Sequence, residues 1–191
     1  FLYNTLDTIY MLARMNKEET TMRMIQALSK YLRLCLSKGS DIVSVEDELE
    51  NVKSYMEIQQ IRNADLFEYE IDCQVNAKEN KILKLILQPL VENAVKYGFR
   101  ITEENDVLVL SVYNTGMPMN KDMVEKINGL THLPISQIKE AFPDKKHGYG
   151  VFNILTRLRL KYGDKITYYY ETTDASTTCT IKVPKGGEQE S

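Results

Sequence analysis

Glu92, Asn93 and Lys96 fall within an arc of roughly 100° on one side of residues 87–98, if that stretch is helical, while Leu90, Val91, Ala94 and Val95 cover the other side. A carboxylate, a carboxamide and a cation thus share one face. A carboxamide oxygen can ligate a hard cation such as Mg²⁺, a carboxylate can orient or deprotonate, and a lysine one turn on can pair with phosphate. The set suits a metal–nucleotide complex; an ordinary amphipathic helix with a solvated polar face fits the same periodicity. A second cluster is Gly148 and Gly150, directly before an apolar-faced helix. Glycines let backbone N–H groups approach phosphate, and a helix N-terminus favours negative charge. A plain helix cap would read the same way. A third is the turn Asn114-Thr-Gly-Met-Pro118, placed at the carboxyl end of a strand.

The elements that must position these groups fall into two parts. Residues 1 to about 62 read as wholly helical, in three helices. Leu2, Leu6, Ile9 and Ala13 form the first seam, with a break near Asn16. Ile25, Leu28, Leu32 and Cys35 form the second, stopped at Gly39. Ser44 and Asp47 make an acidic capping box for the third, striped by Val45, Leu49, Val52 and Met56. Three short seams bury little alone, so they require either a second copy forming a helical bundle or the following domain to fold back on.

From residue 63 onward strands appear. Residues 66–73 alternate like a half-buried strand, with its facing unsettled. The helix 87–98 follows, kinked or restarted at Pro89 and ended by Gly98. Residues 107–113 are a clear strand. Residues 117–147 have little patterning beyond a short helix around 124–130, as expected of a lid. Val151, Ile154, Leu155, Leu158 and Tyr162 then mark a helix up to Gly163, and strands at 166–170 and 177–183 finish the fold before a polar tail. The fold class expected is α+β: helices over 1–62, then an α/β-sandwich domain over 63–191.

The 191 residues are 43% hydrophobic and 27% charged, an ordinary globular mixture with room for a sizeable core. A net charge of -3 gives no bulk attraction for nucleic acid. Cys35, Cys73 and Cys179 are too far apart in sequence for a metal clip or redox motif, which favours a reducing compartment. No run approaches the roughly 18 apolar residues of a membrane span. The chain begins with Phe, which implies a piece of a longer protein and leaves any membrane segment to a missing N-terminal portion.

The order of features, with Leu-Val-Glu-Asn-Ala-Val-Lys-Tyr-Gly and Gly-Tyr-Gly-Val-Phe-Asn-Ile-Leu-Thr-Arg-Leu, resembles the ATP-binding domain shared by sensor histidine kinases, gyrase-type topoisomerases, heat-shock chaperones and mismatch-repair ATPases. Phe1-Leu-Tyr-Asn-Thr-Leu-Asp-Thr-Ile resembles the sequence after Pro-His in the phospho-acceptor helix of bacterial integral-membrane sensor histidine kinases. That resemblance implies ATP and Mg²⁺ as cofactors, a homodimer through the N-terminal helices, a response regulator as partner, and a cytoplasmic kinase portion of a membrane sensor. It makes Asn93 the Mg²⁺ ligand and Glu92 the acid that polarises the attacking group. Lys96 and Tyr97 would face the phosphates and sugar, and Asn114 the adenine amino group, with Gly116 keeping the turn open. Gly148 and Gly150 would border the triphosphate, and Thr177 would reach adenine through water. Arg157 has a family counterpart, yet on a helix beside Leu158 it reads as structural.

Three departures accompany it. The acceptor histidine would lie just before Phe1, and neither His132 nor His147 resembles it, so this chain is not expected to phosphorylate itself. Asn114 replaces the usual aspartate, which weakens the hydrogen bond to adenine by about 1 kcal/mol. Only residues 99–106 separate the polar-faced helix from the next strand, where the family fits another strand and turn. The reaction implied is transfer of the γ-phosphoryl group of ATP to a histidine nitrogen, with a hinge near Asn63 letting the two parts meet. An ATPase or serine-directed kinase on the same fold, or a non-catalytic dimeric signalling module, remains an alternative.

Overall fold

The computed structural model describes residues 2–36, 41–62, 68–92, 97–115, 117–141 and 149–185. The first two helices are α1 (Leu2–Met15) and α2 (Glu19–Leu36), antiparallel neighbours joined by a tight turn in which Lys17 takes φ +58°. Of the expected seams, Leu6, Ala13 and Ile25 are buried, with Tyr10, Met22, Leu28 and Leu32 packed around them. Leu2, Ile9 and Leu12 stay exposed.

The region between α2 and the third helix is not purely helical. A three-residue strand, β1 (Ile42–Ser44), pairs antiparallel with β3 (Lys81–Leu83), a contact too short to leave an alternation in sequence. Helix α3 (Val45–Arg62) starts where the capping box puts it: the Ser44 hydroxyl accepts from the Asp47 N–H at 3.0 Å, and the Ser44 N–H donates to the Asp47 carboxylate at 3.2 Å. Its stripe of Val45, Leu49, Val52 and Met56 joins the same core as the sheet.

That sheet has five strands in the order β2 (Tyr69–Cys73), β4 (Tyr97–Glu104), β5 (Val107–Asn114), β7 (Thr177–Pro184), β6 (Thr167–Thr172). β2 and β4 are parallel and the other pairs antiparallel. Alternation turns Leu108, Leu110 and Val112 of β5 and Cys179, Ile181 and Val183 of β7 inward, where they meet α3, α4 (Gln88–Glu92) and α7 (Tyr149–Tyr162). Burial pushes the Cys179 thiol up to about 12. The five apolar positions expected on α7 are all buried, and Gly163 ends the helix at φ +60°.

Two expectations need correction. The helix after Leu87 does not run to Gly98. Pro89 sits in its first turn, where a missing N–H costs nothing, and by Tyr97 the chain is already a strand. Tyr97 and Gly98 therefore supply the β4 residues that the short 99–106 connection could not, and a two-residue turn at Asn105 (φ +51°) and Asp106 (φ +63°) closes a full hairpin with β5. Tertiary pairing on both sides of β4 outweighs the helical periodicity of that stretch.

Residues 117–141 likewise carry more structure than an unpatterned lid with one short helix. α5 (Lys121–Leu130) and α6 (Ile135–Ala141) occupy most of the segment, with Val124, Ile127, Leu130 and Ile138 in the core. α5 is fixed to the edge strand: the Asn128 amide donates to the Tyr170 carbonyl at 2.8 Å and accepts from the Tyr170 N–H at 2.7 Å, and the Thr131 hydroxyl donates to the Tyr168 carbonyl at 2.8 Å. These side chains complete the ladder of β6 and cover its open edge. Residues 142–148 and the hinge near Asn63 lie outside the described residues. No described helix is long and apolar enough to cross a membrane.

Candidate functional site

Strand register assembles one end of the sheet. Tyr97 at the start of β4 pairs with Asn114 at the end of β5, Asn114 pairs with Thr177 at the start of β7, and Thr177 pairs with Thr172 at the end of β6. Along β5 the inward row is Leu108, Leu110, Val112 and then Asn114; along β7 it is Val183, Ile181, Cys179 and then Thr177. An apolar face thus turns polar at this end of β5 and β7. Asn114 is half-buried and Thr177 is 5% exposed. A carboxamide there offers a donor and an acceptor beside an apolar interior, which complements a flat base carrying an amino group next to a ring nitrogen.

Thr177 also holds the chain that leaves β5. Its hydroxyl oxygen accepts from the Met119 N–H at 2.8 Å, while the Thr172 hydroxyl donates to the Met119 carbonyl at 3.0 Å. Both polar groups of Met119 are thereby tied to the sheet end. Neither contact was anticipated from sequence; each needs the β6–β7 register to bring its threonine to the loop.

Glu92 is the last described residue of α4, five positions before Tyr97 in sequence. It is exposed and accepts a hydrogen bond from the Gln88 amide at 2.7 Å. Gln88 also donates to the Tyr31 hydroxyl of α2, whose ring lies 6.2 Å from that of Tyr55 of α3. The Tyr31 hydroxyl is pushed up to about 12, chiefly by burial and then by Cys35, with a smaller contribution from the Glu92 charge. Tyr55 is raised by burial first and by Glu92 second. The carboxylate thus faces two phenols of the N-terminal helices.

The turn leading into α4 is held from both sides. Glu48 of α3, 1% exposed, accepts from the N–H groups of Leu85, Ile86 (3.1 Å) and Leu87 (3.2 Å). Arg157 of α7 donates to the carbonyls of Lys84 and Leu85, the latter at 3.1 Å. Burial raises the Glu48 carboxyl, opposed by the three N–H groups and the Arg157 charge. Arg157 is structural, as its neighbour Leu158 suggested. Glu48 went unnoticed, although it left a signal: it interrupts the apolar stripe, three residues after Val45 and four before Val52.

Among the expected site residues, Tyr97, Asn114 and Thr177 share one row, while Glu92 meets Gln88 at the end of α4. Gly150 is in the first turn of α7; a short link from Gly163 into β6 sets the far end of α7 opposite Thr177, so its N-terminus points back toward Asn114. Asn93, Lys96, Gly116 and Gly148 lie outside the described residues. Among the described residues, no group of three His, Cys, Asp or Glu could hold a metal.

A family model described as histidine kinase matches residues 1–67. The chain is 28% identical over 175 residues to the sensor histidine kinase YesM of Bacillus subtilis (strain 168), covering 86% of this chain and 27% of that protein. It is also 28% identical over 205 residues to the sensor protein LytS of Streptococcus mutans, covering 100% of this chain and 33% of the relative. Among solved structures, the catalytic domain of the histidine kinase ThkA aligns with a TM-score of 0.56 at 18% identity, over 75% of this chain and 95% of that one, a likeness of fold. The chain spans about a third of the length of the curated relatives it matches.

Proposed function

We propose that the chain, similar to sensor histidine kinases over most of its length, is the kinase portion of a two-component sensor, binding Mg²⁺-ATP at the polar end of its sheet. The reaction is transfer of the γ-phosphoryl group to a histidine that would lie just before Phe1. The observation that carries this reading is the row Tyr97, Asn114, Thr177: three residues expected at one nucleotide, far apart in sequence, meet by register where the apolar inner face turns polar.

Each group has work to do there. The Asn114 carbonyl accepts from the adenine amino group, and Thr177 keeps the Met119 backbone close to the base. Asn93 and Lys96 hold the metal and phosphates, while Gly148 and Gly150 leave room for phosphate at the N-terminus of α7. Bound Mg²⁺ neutralises charge developing on the transferred group. The Glu92 carboxylate, free to exchange its Gln88 bond for an imidazole N–H, orients the acceptor in its nucleophilic tautomer. The exposed Leu2, Ile9 and Leu12 suit a second copy, and the partner in signalling is a response regulator. We place the chain on the cytoplasmic side of a membrane sensor.

Calorimetric titration with ADP, with and without Mg²⁺, tests the site. Mg²⁺-dependent binding that Asn93→Ala abolishes is the expected result, and Asn114→Asp should tighten binding about fivefold through a charge-assisted bond. No binding at millimolar nucleotide sinks the reading and favours a non-catalytic signalling module.

A further inference from the structure

Resting on the nucleotide reading above, we infer that Asn114 reads a purine from either of two orientations, so that the site takes 6-oxopurine nucleotides as well as 6-aminopurine ones. Alternation points Val112 of β5 and Cys179 of β7 to the same inner face one layer below Asn114 and Thr177, and both are 4% exposed. A base at this end therefore packs on an apolar floor, and its class is told by the polar groups along its edge. Of those described here, the backbone of Met119 is already engaged: its N–H donates to the Thr177 hydroxyl and its carbonyl accepts from Thr172. Thr177 keeps a hydroxyl proton that rotates to suit either kind of partner.

The Asn114 carboxamide is the group left unfixed. It is half-buried at the end of β5, and among the described residues nothing donates to its oxygen or accepts from its nitrogen. Half a turn about its last side-chain bond exchanges donor and acceptor, and that torsion is roughly two-fold. The two purine classes match the two settings. A 6-aminopurine presents an amino donor beside the N1 acceptor, whereas a 6-oxopurine presents an oxygen acceptor beside an N1–H donor. In one setting the carboxamide accepts from the amino group and donates to N1. In the other it donates to the oxygen and accepts from N1–H. Each gives two neutral hydrogen bonds and leaves no polar group unpaired, which is the condition that strong rejection of an analogue requires.

Calorimetric titration with ADP and with inosine diphosphate, each in the presence of Mg²⁺, measures the preference directly. Asn114→Leu, close to the carboxamide in size but without its polar atoms, shows whether residue 114 reads the base. The expected result is that the unaltered chain binds the two nucleotides within about tenfold of each other, and that Asn114→Leu weakens both by about tenfold. Should Asn114→Leu not fold, as judged by circular dichroism, Asn114→Ala takes its place. Inosine diphosphate bound more than about tenfold more weakly than ADP overturns the inference and leaves the nucleotide reading standing. A loss confined to ADP in the folded variant does the same, and so does a loss for neither nucleotide, because tolerance would then come from a base that residue 114 does not read. A chain that binds neither nucleotide refutes the nucleotide reading, and the inference falls with it.

Discussion

The helical pair α1–α2 and the body built on α3 and the sheet answer the same problem in opposite ways. In the pair, Leu6, Ala13, Ile25 and Ala27 are the buried apolar residues among those described, and Leu2, Ile9, Met11, Leu12 and Met15 remain exposed, Met15 by 79%. In the body, α3, α4, α5, α6 and α7 all contribute to one continuous core against the sheet, and Ile82, Leu110, Leu155, Leu158 and Ile181 are wholly enclosed. The body has the burial a domain needs to fold alone; the pair has a seam and an open face. The proposed function divides the same way: the part with spare apolar surface is the one we assign to a second copy, and the part with a closed core is the one we assign to nucleotide.

The largest expected effect breaks the comparison if it fails. Leu158→Ala should cost about 3 kcal/mol in chemical denaturation because the cavity cannot collapse, whereas Leu6→Ala should cost about 1 kcal/mol because its site opens toward solvent. Equal losses would mean that the pair and the body share one cooperative core. A smaller effect is alkaline. Cys179 is raised to about 12 in the fold, so the unfolded chain releases its proton first. The folded state then holds more protons, and stability present at pH 8 is lost as pH rises from about 9 toward 12, by about 1.4 kcal/mol per pH unit for one fully titrating thiol. Tyr168 and Tyr170, both raised well above their ordinary value chiefly by burial, add to the slope at higher pH. Stability curves of wild type and Cys179→Ala between pH 8 and 10 check this; identical curves would remove Cys179 as the cause. Smallest in stability is Ile9→Glu on the open face of α1, expected within about 0.5 kcal/mol of wild type. Light scattering should nonetheless show dimer giving way to monomer, and an unchanged mass would assign that face to another partner.

Local signals accounted for much of this molecule. The α3 cap, the α7 stripe ending at Gly163, and strands β5, β6 and β7 were legible because each depends on neighbours within a few residues. Misreadings arose where long-range pairing decides. Tyr97 and Gly98 continue a helical pattern in sequence, yet become strand because β2 and β5 lie on either side. β1 is three residues that exist only through β3, and α6 packs against α7, a partner that the local pattern does not reveal. The candidate site divides in the same manner: residue types and spacing singled out Glu92 and Asn114 as candidates, but not Gln88 bound to Tyr31, nor the threonines that hold Met119.

What the sequence determined by itself, then, is the set of helices and strands with self-contained periodicity, the apolar faces they carry, and which residues could serve a nucleotide. Only the tertiary structure decided that Tyr97 and Gly98 are strand, how Tyr97, Asn114 and Thr177 come to one row, and that Glu48 is a buried acceptor for three backbone N–H groups. The physical reason is range. A helix cap or an apolar stripe is settled by interactions across four residues, whereas strand register and the satisfaction of a buried charge are settled between groups 17 to 73 positions apart, such as Tyr97 with Asn114 and Arg157 with the Lys84 carbonyl.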